Sequence, residues 1–179
     1  MANIKKYRAL EVLIYFAMLI IAFLLQTSNI IVKHNSPSAS LVLALVLTVS
    51  FFENYWFSAI FGLFAGIMLD TVNVNGFGTY ALIYMLTAFI CSLVIEVFLQ
   101  NNFASFSVVT IPVIMIVSFT EIIVRSGFVK GIFTLFFKYY ILVTIYTFAI
   151  AFILYLLFHF VIKKDERFKK PKGIISVKK

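Results

Sequence analysis

An all-α integral membrane protein, a bundle of six transmembrane helices with both termini cytoplasmic, is the fold class this sequence predicts. Three observations carry that reading. The 179-residue chain is 63% hydrophobic and only 12% charged, with a mean hydropathy of +1.08. Its apolar residues gather into six stretches, and a helix that crosses a bilayer needs about 20 mostly apolar residues. Eleven of the fifteen Lys and Arg residues lie before the first stretch or after the last.

The spans are read over 9–27, 39–52, 55–69, 79–99, 106–124 and 139–162, as one transmembrane domain over 1–162 followed by a basic cytoplasmic tail over 163–179. Backbone polar groups in lipid need internal partners, so segments this apolar are expected to be helices. A β-barrel would alternate at period two, and Leu41 to Val49 and Val143 to Phe160 do not. The loops and tails leave no room for a nucleotide-binding or hydrolase domain.

The second and third spans are short and are separated by Glu53-Asn54, with Phe52, Tyr55 and Trp56 around the pair. That pattern suits a tight turn at a membrane interface; the rival is one long tilted helix. Pro112 is expected to bend or break the early turns of the fifth span. Lys5, Lys6 and Arg8 before the first span, and Lys163, Lys164, Arg167, Lys169, Lys170, Lys172, Lys178 and Lys179 after the last, place both tails inside by the positive-inside rule. An even number of spans follows. Lys33, Arg125, Lys130 and Lys138 fall outside on this scheme. The N-terminus is read as an uncleaved span, because Gln26-Thr27-Ser28-Asn29 after the apolar run offers no small-x-small cleavage site.

The net charge of +8 resides mostly in the tail, so it speaks for anionic lipid or a cytoplasmic contact at Lys163, Lys164, Arg167, Lys169, Lys170 and Lys172, and not for nucleic acid. Cys91 is the single cysteine, and neither it nor His34 and His159 has metal-ligand spacing. No metal, cofactor or catalytic site is expected.

Ionisable residues inside a membrane are costly, so their positions are informative. Ser58, Gly62, Gly66 and Asp70 are four apart and share a helix face. Small residues there permit close approach of a neighbouring backbone, with Asp70 at the end of the seam. The following Asn75-Gly76-Phe77-Gly78 signals a turn with positive φ, and Asp70 is read as accepting hydrogen bonds from these amides or capping the fourth helix through water. Glu121 and Arg125, also four apart, are read as an ion pair. Glu11, Glu53 and Glu96 fall near cytoplasmic ends where they can reach water. Tyr55 and Trp56 on the inside, and Tyr80, Tyr84, Tyr139 and Tyr140 on the outside, are read as two aromatic belts.

The segment Gly62-x-x-x-Gly66-Ile67-Met68-Leu69-Asp70, a polar loop, and Gly76-Phe77-Gly78-Thr79-Tyr80-Ala81-Leu82 resembles the MreD family of rod shape-determining proteins. Pro37 ahead of the apolar run from Leu41 agrees, although Ser38-Ala39-Ser40 intervenes. The layout agrees along the chain, and the motif covers about residues 58–90. The resemblance implies a non-enzymatic, multi-pass component of the bacterial cytoplasmic membrane that serves the cell-elongation complex. It would bind the bitopic protein MreC, and through it MreB and the RodA–penicillin-binding-protein synthase, with the small-residue face of the third span as one candidate surface.

The family is also similar in fold to the S-components of energy-coupling-factor vitamin transporters, which makes a substrate-binding subunit the alternative. Asp70, Asn73, Asn75, Glu121 and Arg125 would then have to converge on a pocket. Ala-x-x-x-Ala docking motifs are not evident in the first span, which is lined by Phe16, Leu19, Ile20 and Phe23. An intramembrane enzyme ranks last, for want of two polar groups at one depth.

Overall fold

The computed structural model describes residues 2–28, 40–72, 78–98, 103–126 and 141–162, with side chains over 11–28, 40–72, 78–97, 103–123 and 141–160. These residues form six helices and no strand: α1 (Ala2–Thr27), α2 (Leu41–Phe52), α3 (Tyr55–Asp70), α4 (Thr79–Phe98), α5 (Phe103–Ser126) and α6 (Ile141–Ile162). Among the residues with described side chains, three stretches are long and apolar enough to cross a membrane, Thr79–Val97, Phe103–Ile123 and Ile141–Phe160; Leu41–Phe52 and Tyr55–Asp70 are shorter apolar helices, and Glu11–Thr27 is the part of α1 whose side chains are described.

The chain breaks between α2 and α3, so the single tilted helix is excluded. Glu53 (φ −107°, ψ 164°) and Asn54 (φ −68°, ψ 151°) are both extended, and the Glu53 amide donates to the Val49 carbonyl to finish α2. At its other end α2 is capped by Ser40, whose hydroxyl accepts from the Leu43 amide at 3.2 Å. Between these caps lies Leu-Val-Leu-Ala-Leu-Val-Leu-Thr-Val-Ser-Phe-Phe, with no polar face, and a helix apolar all round belongs inside. Every residue from Val42 to Phe51 is buried, and α2 packs against each of the other five helices. Its two hydroxyls turn back onto their own helix, Thr48 to the Ala44 carbonyl and Ser50 to the Val46 carbonyl.

Contacts at the two ends of α2 fix the direction of its neighbours. Ser40 meets Tyr84 of α4 and Thr147 of α6, while Phe51 meets Tyr155 of α6 and the Glu53 carbonyl meets Ser92 of α4. Both helices therefore run parallel to α2. The Val42 amide donates to Gln26 near the end of α1, and Glu53 meets Tyr15, so α1 runs antiparallel to α2. Phe106, early in α5, stacks on Tyr155, late in α6, which sets α5 antiparallel to α6. The bundle alternates direction at each step, so its first and last helices present their outer termini at the same end.

That end is aromatic. Phe51, Phe52, Phe106, Tyr155 and Phe158 form a continuous set of stacked and edge-on rings, joined to α1 through Tyr15, whose ring lies 5.5 Å from that of Phe158. His159 stacks on Tyr155 in the same cluster.

Three readings of the sequence are revised. Tyr80 and Tyr84 are buried in the core and not part of an outer belt; Tyr84 shares a hydrogen bond with the Ser40 hydroxyl at 3.0 Å, an alternative to lying at the interface. Glu53 is only 4% exposed, because the turn that holds it folds under Tyr15. Pro112 lies inside α5 without breaking it, on the exposed side of the helix. Tyr139 and Tyr140 lie outside the described residues.

The burial of α2 gives a direct test. Truncating Phe51, 1% exposed, by Phe51→Ala should cost about 3 kcal/mol or more of stability in detergent, whereas Leu24→Ala on the outer face of α1 should leave the thermal unfolding midpoint nearly unchanged. Equal shifts in the two variants would contradict a central α2.

Candidate functional site

The polar residues singled out in the sequence meet at the pairing of α3 with α4. Four-residue spacing sets Ser58, Gly62, Gly66 and Asp70 on one face of α3, and all four are buried. That face is turned onto α4. A Cβ at Gly62 would lie 2.5 Å from the Tyr84 carbonyl oxygen and 2.8 Å from the Ala88 Cβ. A Cβ at Gly66 would run into the Tyr80 carbonyl and the Ala81 backbone, with the Ala81 nitrogen at 2.6 Å. Backbone atoms have little room to yield, so only glycine permits this approach. Ser58, the smallest polar choice at the next position of the face, has a fully buried hydroxyl with no hydrogen-bond partner.

Asp70 closes the seam at its far end. Its Oδ2 accepts from the Gly78 and Ala81 amides and its Oδ1 from the Tyr80 amide, each at 3.0 Å. These amides belong to the start of α4, where a helix leaves its first N–H groups without internal partners and where its dipole favours negative charge. Asp70 therefore caps α4 from the end of α3, directly and with both oxygens. The carboxylate is 4% exposed, and three charge-assisted bonds offset the cost of burying it. Gly78 makes the geometry possible: its φ of +99° suits a residue without a Cβ, while nothing lies within 4 Å of where that Cβ would stand. Its requirement is one of backbone conformation, distinct from the close approach at Gly62 and Gly66.

The opposite end of the hairpin carries a second polar junction, at Glu53, Asn54, Ser92 and Glu96. The Ser92 hydroxyl donates to the Glu53 carbonyl at 2.8 Å, and the Tyr15 hydroxyl donates to Glu53 Oε1 at 3.4 Å. With the Asn54 amide turned so that its nitrogen faces Glu96, it donates to Oε2 at 2.9 Å and to Oε1 at 3.2 Å. The signal for this junction was available in the antiparallel register. Sixteen residues back from Asp70 lies Asn54, and about as many forward from Tyr80 lies Glu96.

Glu121 lies half-buried on α5, about two and a half turns of helix beyond Pro112; the Arg125 side chain, Gly76, and the basic residues Lys163, Lys164, Arg167, Lys169, Lys170 and Lys172 lie outside the described residues. Pro112, on the outer side of α5, does not join the seam. Among the described residues no three His, Cys, Asp or Glu side chains gather as a metal-binding group. What the arrangement does chemically is hold two helices together: its carboxylate and glycines face backbone.

A helical membrane protein emerges, whose intramembrane polar groups hold its own helices in register. The family described as rod shape-determining protein MreD matches residues 6–164, and the chain belongs to that family. It is thus a rod shape-determining membrane protein in its family's terms. No curated protein and no solved structure matches the chain.

Two sets of variants test the seam. Asp70→Ala strands three amides at the start of α4 and should cost about 2–4 kcal/mol, with Asp70→Asn falling between it and the parent, when unfolding is followed in detergent. Stability unchanged in Asp70→Ala would remove the capping role. Gly66→Ala should destabilise despite alanine's better helix propensity, whereas Ala59→Gly on the same helix should cost only the propensity difference, about 1 kcal/mol. A stabilised Gly66→Ala protein would mean that α3 and α4 are not in backbone contact there.

Proposed function

We propose that this protein is a non-enzymatic, multi-pass component of the bacterial cytoplasmic membrane that works in the cell-elongation complex by binding MreC, and through it MreB and the RodA–penicillin-binding-protein synthase. The observation that carries this reading is the family match over residues 6–164. The described geometry supports it: Asp70 and Glu53, the two buried carboxylates among the described residues, are engaged by backbone amides and by Tyr15, the pattern of a scaffold.

Both termini are assigned to the cytoplasm and all six helices to the membrane. In support, the helices alternate in direction, and basic residues lie in the first turns of α1 and follow α6 in the sequence. The basic tail over 163–179 faces anionic lipid in this arrangement.

Partner binding uses an outer apolar face. The glycine face of α3 is already filled by α4, so a partner's transmembrane helix must pack elsewhere, on side chains such as Val108, Ile111, Met115 and Ile116 of α5. A mild-detergent pull-down of the tagged protein at native level, read by mass spectrometry, tests the assignment. Recovery of MreC with elongation proteins is the expected outcome. Recovery of a coupling membrane subunit with paired ATPases, without MreC, would overturn it in favour of a transporter subunit.

A further inference from the structure

A proline inside an α-helix has no N–H to give to the carbonyl four residues earlier. In α5 that proline is Pro112, and the carbonyl is that of Val108. Both lie well within the apolar stretch. Val108 is the sixth and Pro112 the tenth of the 21 residues of Phe103–Ile123, so they stand about 8 Å and about 14 Å from its start. They also lie on the outer side of the helix, with Val108 65% exposed and Pro112 exposed one turn on.

The helix does not repair the loss itself. A Ser or Thr hydroxyl can reach the carbonyl three or four residues before it, as Thr120 does to Val117 and Ser107 to Phe103. The positions that would serve Val108 in this way are 111 and 112, and they hold Ile and Pro. Lipid chains carry no donor, and a backbone carbonyl facing hydrocarbon without one is costly. Around it the surface has a regular form: exposed Ala104, Val108, Ile111 and Met115 are spaced by four, three and four residues, the spacing of a seam between two paired helices.

We infer that this face of α5 receives a partner's transmembrane helix that carries a hydroxyl or amide side chain at the depth of Val108, and that this side chain donates to the Val108 carbonyl. The inference rests on the reading that MreC is bound, and it names the contact that binds it. A second copy of this chain, paired through the same face, does not fit. The outward row Ala104, Val108, Ile111 and Met115 has no side-chain donor to offer. A donor from a different helix satisfies the carbonyl, and the seam supplies the packing around it.

The test uses the full-length protein co-expressed with MreC, and compares the MreC recovered in mild detergent with each variant. Ile111→Thr keeps Pro112 and brings a hydroxyl within reach of the Val108 carbonyl, whereas Ile111→Val has the same shape without it. Recovery should fall about threefold or more in Ile111→Thr and stay near the parent level in Ile111→Val. Pro112→Val restores the missing amide and keeps an apolar side chain on the face. It should lower recovery likewise, with a thermal unfolding midpoint no lower than the parent's, which separates loss of the acceptor from loss of the fold. Equal recovery in Ile111→Thr and Ile111→Val would overturn the inference while leaving MreC binding intact. So would an MreC helix whose hydroxyl and amide residues can all be made apolar without loss of recovery. No MreC recovered by the parent protein would overturn the reading of partner binding, and this contact with it.

Discussion

In a bilayer the first amides of a helix have no water to turn to, and at the start of α4 those of Gly78, Tyr80 and Ala81 all find one carboxylate, that of Asp70. Much of the bundle follows from that constraint. Because the carboxylate belongs to the last residue of α3, capping α4 also fixes the two helices end to end. The glycine seam can then run at backbone contact from Gly66 to Gly62 without a choice of register. Packing of this kind depends on dispersion and on polar contacts between helices, since lipid supplies no hydrophobic drive for helices to associate.

The far end of the hairpin repeats the device with different groups. Glu53 and Asn54 turn the chain out of α2, and Ser92 and Glu96 of α4 receive them. Tied at both ends, α3 and α4 present α2 with a fixed wall, and α1, α5 and α6 complete the enclosure. A helix of 12 residues covers only about 18 Å, too little for a lipid-exposed span, yet it is stable here because protein surrounds it on every side. Its polar caps meet partners from α1, α4 and α6, so no end of it is left in an apolar setting.

How much of this was legible in the sequence depends on the range of each interaction. The helices follow from composition and from punctuation: Glu53-Asn54 between two apolar runs, and the Gly-rich segment after Asp70, mark helix ends that depend on neighbouring residues alone. The shared face of Ser58, Gly62, Gly66 and Asp70 is likewise a matter of spacing. Which helix that face meets is not local, and it became visible only with Tyr84, Ala88 and Ala81 in place against it. Burial was harder still. Glu53 and Tyr84 have the composition of interface residues, and both are buried because α2 sits at the centre and draws its caps inward. The cue was the absence of any polar face along α2, a property of the whole helix and not of a motif. Family membership became legible early because the same Gly and Asp positions that hold the hairpin also form its recognisable pattern.

The central claim is that one buried carboxylate holds the start of α4 in the folded protein. Amide hydrogen exchange at Gly78, Tyr80 and Ala81, measured on the intact protein in a bilayer mimetic, tests it most directly. The account predicts that these three amides exchange as slowly as those in the middle of α4, and open only with the rest of the hairpin. Exchange at the rate of unprotected backbone, with the interior of α4 still protected, would show that Asp70 does not hold them.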